Sequence, residues 1–356
     1  MLSDISVRRS VSVSIGKDPS QCDPFYLELV RLFESDPLAS PYCHPLWVSL
    51  LGAALGRDVY WCLARAGSRL VAALPHLRRV ERFPPVTVVE SLPYNCYAAP
   101  LMSQELDAAG AVSAARALYQ KLSGAAVISR AYPPEWLDER IAFPAAAVVN
   151  PRACSEQIYV KRLDLLASEQ ALRSTYTKHH RKQLAVAERS PLEFYRAKTQ
   201  EDLSAFYDLL GETMSRAAKP IKFSHEMVVV GGQQLIMSGV GTCYLAKLDG
   251  ECCAGAFVLS SKAVTMYWLG ATTSDKRALA HFPAYFLLHQ ALRDSLQQGV
   301  RMFELGAAPT QGLLDFKSKW GAKPVSQFTY SMGSNWVQSA AGLRSRLMRC
   351  RLRSKA

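Results

Sequence analysis

The 356-residue chain has no long apolar run. Half of its residues are hydrophobic, yet no stretch approaches the roughly 18–20 residues a helix needs to cross a bilayer, which excludes a membrane-spanning protein. The same apolar content excludes a disordered or collagen-like chain, because there is ample surface to bury. Nine cysteines are an odd number, no C-x-x-C occurs, and Cys252 and Cys253 are adjacent. That excludes a disulfide scaffold and points to reduced thiols. No H-E-x-x-H or Cys/His spacing of the zinc type is present, so no metal is expected. A G-x-S-x-G elbow and a G-x-x-x-x-G-K-[ST] loop are missing too, which argues against a serine hydrolase and a P-loop enzyme. Met1 to Asp18 carries charge but no apolar core of signal-peptide type, so a cytoplasmic protein is expected.

Acid is the scarcer charge: 30 Asp and Glu against 42 Lys and Arg give a formal net charge of +12. Net charge speaks to partners rather than to fold. Half of the excess sits in residues 341–356, where Arg344, Arg346, Arg349, Arg351, Arg353 and Lys355 meet no acid. With Trp336, Leu343, Leu347 and Leu352 at roughly helical spacing, 336–356 reads as a basic amphipathic helix. Such a helix lies on an anionic surface, here the inner face of the membrane, or stays solvated. A second acid-free cluster, RSTYTKHHRK, spans Arg173 to Lys182. There Arg181, Lys178 and His180 are placed to hold phosphate, the alternative being a solvated helix face.

Along the chain, helices are predicted over 24–35, 45–56 and 106–121. A hairpin turning at Gly67-Ser68 lies between the second and third of them. The segment TVVESLPYNCYAAPL, with Pro93, Asn95 and Pro100, reads as a short strand and an irregular loop. Further strands are predicted at GAAVIS, AFPAAAVV and QIYVKRL. Asp164 is placed to cap a helical stretch reaching Ser190 and broken near Lys178, with more helices near 201–217 and 224–238. Three strands follow 240, with turns at Asp249-Gly250 and Ser261-Lys262. Pro283 opens a helix that Gly299 closes. Then come a strand RMFELG, a helix over 311–319 and a strand over 324–332. CLARAGSRLVAAL at 62–74 aligns without gaps to YLAKLDGECCAGA at 244–256, an offset of 182 residues. An offset near half the chain length is what a duplicated domain produces, with a boundary near 150–163.

Several segments in order resemble the Fem-type peptidoglycan-bridge aminoacyltransferases and their acetyltransferase-like relatives. They are SLPYNCYAAPL (Ser91–Leu101), TKHHRKQLAVAER (Thr177–Arg189), LAKLDGECCAGAFVL, YWLGAT and MFELGAAPTQGLLDFKSKWGA. The resemblance covers roughly residues 20–335. It implies an α/β (α+β layered) fold of two tandem GNAT-like domains, 1–160 and a catalytic 161–335. Each would be a mixed central sheet flanked by helices, with 336–356 as a tail. It also implies transfer of an acyl or aminoacyl group from an activated carrier to an amine. The chain departs from the CoA-binding members in one place. Their Gly-rich R/Q-x-x-G-x-G/A turn, whose N–H groups cradle pyrophosphate, is replaced by the glycine-free ATTSDKRALAHFPAYFLLHQ. Fem-type enzymes, as the resemblance has it, take their group from aminoacyl-tRNA, and a basic chain suits that partner.

Acyl transfer to an amine needs a base for the acceptor, a polarised carbonyl and a held oxyanion. Lys317, in DFKSKW, matches the family's terminal F-K motif and is expected to stabilise negative charge on the carbonyl or on donor phosphate; a surface lysine is the alternative. Lys319, two positions on, points elsewhere on a helix and is the weaker phosphate contact. Glu304, in MFELG, can accept the amine proton where burial raises its pKa, or serve as a salt-bridge partner. Tyr267 and Trp268 alternate faces of a central strand, one toward the cleft and the other toward the core. Arg277 and His281 stand in the glycine-free turn and can replace part of the lost cradle.

No permanently bound cofactor is expected. The co-substrate is aminoacyl-tRNA or an acyl thioester of CoA or acyl carrier protein. The acceptor is an amino sugar, a cell-envelope or exopolysaccharide precursor, or a small metabolite. The competing reading from another class is a non-catalytic polysaccharide-assembly or RNA-binding protein that kept the fold.

Overall fold

Strands joined by tight turns organise both halves of the chain. The structure, a computed structural model, describes residues 11–82, 85–93, 96–122, 126–131 and 152–333. The strand expected at AFPAAAVV and the basic tail helix at 336–356 lie outside the described residues. The chain divides into two compact units. As far as they are described, one gathers Met1–Asp36, Gly56–Ser155 and Gln327–Ala356, and the other Pro37–Leu55 and Glu156–Ser326.

In the first unit β1 (Val11–Lys17), β2 (Asp58–Ala66), β3 (Arg69–Arg82) and β4 (Pro85–Ser91) run antiparallel, each paired to the next. β4 then pairs in parallel with β6 (Ala126–Ala131), and β6 pairs antiparallel with β13 (Lys323–Gly333). The two-residue β5 (Leu101–Met102) adds to β3. Helices α1 (Pro24–Ser35) and α3 (Ala108–Lys121) pack on these strands. Asp23 and Asp107 cap them, each side chain accepting a first-turn N–H.

The second unit repeats the pattern. β8 (Glu193–Arg196), β9 (Gly241–Leu248), β10 (Glu251–Ser260) and β11 (Val264–Thr272) are antiparallel. β11 pairs in parallel with β12 (Met302–Ala307), and β12 antiparallel with β7 (Arg152–Arg162). The sequence echo falls on equivalent hairpins: β2 ends and β3 begins at positions 66 and 69, β9 and β10 at 248 and 251, the same offset of 182. Each unit is thus a mixed sheet flanked by helices.

Alternation along β10 separates two faces. Ala254, Ala256 and Val258 share a buried cluster with Leu287, Leu288, Ala291 and Leu292 of α9 (Pro283–Gln297). Phe257 meets Phe206 of α6 (Gln200–Arg216) from the opposite face, with ring centroids 6.2 Å apart. Gly255 lies against the Phe206 ring so closely that a Cβ there would enter it. A reciprocal Thr199/Asp202 capping box starts α6. Also in this unit is α2 (Pro45–Leu55), which packs with the helical segment formed by a π turn at Met227–Gly231 and α7 (Gly232–Met237).

The helical stretch after β7 corrects one expectation. It forms two helices, α4 (Glu169–Ser174) and α5 (Lys178–Glu188), capped by Ser168 and Thr177. Asp164 caps nothing; its carboxylate is taken by Arg162, 2.5 Å away. Among the described residues no helix is long and apolar enough to cross a membrane.

Candidate active site

β11 and β12 pair over only three positions: Val264 with Met302, Thr265 with Phe303 and Met266 with Glu304. β11 then runs on to Thr272 and β12 to Ala307 without pairing to each other. Both strands carry an irregularity where they part. On β11 Trp268 is the extra residue, since Tyr267 faces Val258 and Leu269 faces Phe257. On β12 Leu305 is extra, between Glu304 opposite Val160 and Gly306 opposite Tyr159. An unpaired residue bends its strand, and the two bulges fall where the strands part.

Helix α10 (Gln311–Lys319), capped by Thr310, brings Lys317 to that edge. Its ammonium donates to the carbonyl oxygens of Gly306 at 3.0 Å and Ala307 at 2.5 Å. The residue is only 8% exposed. Burial pushes its pKa down to about 8, while the negative charge of Glu304 opposes the fall. Glu304 is buried at the last paired position of β12. Tyr267 lies on β11 where the strands part, and its hydroxyl rests against Gly270, at a point any Cβ on residue 270 would occupy. Desolvation raises that phenol to about 12, so it keeps its proton at neutral pH. Lys317, Glu304 and Tyr267 therefore all belong to the parting strands or reach them.

Residues 173–318 match the family described as acetyltransferase (GNAT) domain. Over that stretch the chain is similar to a GNAT domain. Solved structures agree on the fold. FemX superposes with a TM-score of 0.68 at 12% identity, covering 85% of this chain and 95% of that one. The C-terminal domain of a putative lysylphosphatidylglycerol synthetase from Agrobacterium fabrum gives 0.55 at 13% identity, covering 91% and 95%. L-PGS from Bacillus licheniformis gives 0.55 at 15% identity, covering 94% and 98%. A comparison with curated proteins finds no match.

The segment between β11 and α9 is a turn most of whose N–H groups are engaged by the protein itself. The Thr272 N–H donates to Thr213 Oγ1, Thr273 to the Cys253 carbonyl and Ser274 to the Glu212 carboxylate. Asp275 N–H donates to Thr273 Oγ1 and Arg277 N–H to the Asp275 carboxylate. The N–H groups from Leu279 to Phe282 go to carbonyls of the one-turn α8 (Lys276–Leu279) and its flank. Phe282, at φ 52°, precedes Pro283, and no side chain caps α9. These residues do not fit a pyrophosphate, which needs several N–H groups converging on it.

The remaining candidates have separate surroundings. Trp268 packs edge-on against Phe257 at 4.9 Å, Trp47 at 5.0 Å and Phe223 at 5.3 Å, forming an aromatic cluster. His180 does not join a phosphate-binding face. It is 1% exposed and wedged between Tyr285 at 4.7 Å and Trp320 at 5.0 Å, and burial lowers its pKa to about 4. Arg181 is exposed, and its Nη1 donates to the carbonyls of Ser174 and Tyr176 at the end of α4. Lys178 is exposed on the first turn of α5, and Lys319 is half-buried beside His180. Arg277 is exposed and faces Asp275 at 3.4 Å. His281 is half-buried, its N–H tied to Ala278. Among the described residues no group of His, Cys, Asp and Glu is placed to hold a metal.

Two buried polar features escape sequence reasoning. Lys161 on β7 is 3% exposed. Tyr176 meets His289 through its hydroxyl at 3.1 Å, and His289 meets Glu169 at 3.2 Å. A polar residue inside the apolar runs IYVKRL and YFLLHQAL was the available signal.

Proposed function

We propose that this chain transfers an acyl or aminoacyl group from an activated carrier to an amine, forming an amide at the cleft where β11 and β12 part. The observation that carries the reading is the Lys317 ammonium, buried on the Gly306 and Ala307 carbonyls where the strands separate. An ammonium has three protons to donate. Two are used by those carbonyls, and the third is left for the oxygen of the donor carbonyl. As the amine nitrogen attacks, its bond to the carbonyl carbon forms and negative charge gathers on that oxygen, which Lys317 stabilises. Glu304 accepts the proton the amine loses. Collapse of the tetrahedral centre breaks the bond to the carrier, and the protonated Tyr267 phenol donates to the departing group.

The turn after β11, with most of its N–H groups engaged, favours a donor whose carrier is not gripped through a pyrophosphate: aminoacyl-tRNA, or acyl carrier protein. Lys178, exposed, and Lys319, half-buried, would offer their charge to the carrier's phosphates, with Arg277 and His281 at the turn. The second reading, an acyl-CoA donor, is favoured by the acetyltransferase description of residues 173–318. The acceptor in either case is an amino sugar, a cell-envelope or exopolysaccharide precursor, or a small metabolite. The enzyme would work in the cytoplasm, its basic tail able to meet the inner face of the membrane.

The test offers three labelled donors in separate arms, aminoacyl-tRNA, acyl carrier protein thioester and acetyl-CoA, each with a panel of amino sugars and amino-terminal peptides. Label in an amide product is expected in one of the first two arms. Transfer from acetyl-CoA alone would favour the second reading, and no transfer in any arm would overturn both.

A further inference from the structure

Lys317 reaches from helix α10 to strand β12, and a second buried lysine makes the reverse connection, from strand to helix. Lys161 stands on β7 opposite Phe303 of β12. Its ammonium donates to the carbonyl oxygen of Trp320, the residue that ends α10, at 2.8 Å, and to Thr175 Oγ1 at 2.5 Å. Thr175 is in turn the residue that ends α4. The charge therefore sits where two helices present their carbonyl ends, the place where a cation is favoured. No carboxylate pairs with Lys161 among the described residues, and the Tyr176 ring lies 5.3 Å from its nitrogen. An ammonium taken out of water without a counter-ion is costly, and burial lowers this one to about 8.

The surroundings leave that helix end little freedom. Thr177 N–H donates to the Lys319 carbonyl at 3.0 Å. Trp320 is fully buried, with Tyr176 edge-on at 4.7 Å. Gly321 turns the chain at φ 75°, and a Cβ there would lie 2.8 Å from the Thr175 carbonyl oxygen and 3.0 Å from the Lys161 nitrogen. Lys317 is one turn upstream of the carbonyl that Lys161 holds.

Resting on the reading of Lys317 given above, we propose that Lys161 is a positioning residue for it: by fixing the carbonyl end of α10 through Trp320 and Thr175, it holds the Lys317 ammonium on the carbonyls of Gly306 and Ala307. Lys161 touches no reacting group and acts through the helix. Thr175→Val keeps the Lys161 charge, so a change it causes at Lys317 reports geometry.

The experiment follows the ammonium signals of lysine-15N-labelled full-length protein through a pH titration, with the Lys317 signal assigned by its loss in Lys317→Met. Lys161→Met and Thr175→Val are compared with wild type. Val89→Ala, a buried change in the other unit, controls for general loss of stability. Both test variants are expected to move the Lys317 midpoint from about 8 toward the roughly 10.4 of a solvated lysine, while Val89→Ala leaves it in place. An unmoved midpoint in folded Lys161→Met or Thr175→Val overturns the proposal. If Lys161→Met does not fold, Thr175→Val, which keeps the charge and the shape, decides. A wild-type Lys317 that already titrates near 10.4 would strike the reading of Lys317 itself rather than its dependence on Lys161.

Discussion

Lys317 donates to the carbonyl oxygen of Ala307 at 2.5 Å, ten residues back along the chain and on the strand that its own helix follows. The bond ties α10 to the freed end of β12 and orients a charge where the two central strands separate. An ammonium fixed by main-chain carbonyls cannot reorient when charge develops beside it, and preorganisation of that kind is the larger part of electrostatic catalysis.

Stability should respond to alkali in a defined window. Lys317 and Lys161 both have folded pKa values near 8, against roughly 10.4 in an unfolded chain. Below pH 8 both are charged in either state, and the cost of burying them is fully present. From pH 8 the two lysines make the unfolded chain hold more protons than the folded one, which makes unfolding harder as pH rises. Near pH 9 the thiols of Cys62, Cys243, Cys252 and Cys253, each raised by burial, begin to lose their protons first in the unfolded chain, and above about 10 the phenol of Tyr267, raised to about 12, does the same, so the trend reverses. Denaturant midpoints across pH 7 to 11 check this, and a monotonic fall from pH 8 would refute it.

Gly270→Ala should dislodge Tyr267. The new methyl group would occupy the place of the phenol oxygen. Overpacking of this kind typically costs about 1–3 kcal/mol. The phenol, driven toward solvent, should ionise closer to the ordinary value of about 10. Ultraviolet titration of tyrosinate reads the shift, and an unchanged high-pH tyrosine in the folded variant would contradict the placement.

His180→Phe is expected to keep the fold and to hold or raise stability by up to about 1 kcal/mol, because an uncharged ring among Tyr285, Phe316 and Trp320 is replaced by an apolar one of similar size. Thermal melting checks it. A loss of several degrees would show that the imidazole makes a polar contact the helix needs.

CoA should leave the melting temperature unchanged at millimolar concentration, since a ligand that binds only the folded state raises it and the turn after β11 has most of its N–H groups engaged. A saturable rise would point back to an acyl-CoA donor.

Much of the fold was legible because period and turn chemistry are local. The helix at 311–319 and the hairpin turn at 249–250 fall where their caps and glycine put them. The sheet pattern was foreshadowed by the echo between 62–74 and 244–256. Asp164 misled because Ser168, four residues on, offers the same kind of cap and Arg162 competes for the carboxylate. His180 looked like one of a row of surface cations, yet helical spacing places it with Leu184 and Ala187 on the buried face. Lys161 was beyond reach, because its partners lie 14 and 159 residues away and only the folded chain brings them together. Of the expected site residues, Lys317 and Glu304 were legible as a short motif and a strand, and the fold brings both to where β11 and β12 part. It was not legible at Trp268, whose bulged position follows from cross-strand register.

The central claim is tested most directly by single-turnover amide formation with whichever donor is active, comparing wild type, Lys317→Ala and Lys319→Ala, each confirmed folded by circular dichroism. Removing the ammonium at 317 is expected to slow the chemical step by roughly 10²–10³-fold, and removing its neighbour at 319 to change it by no more than about threefold, the scale of an exposed ion contact. A folded Lys317→Ala protein that turns over at the wild-type rate would contradict the account.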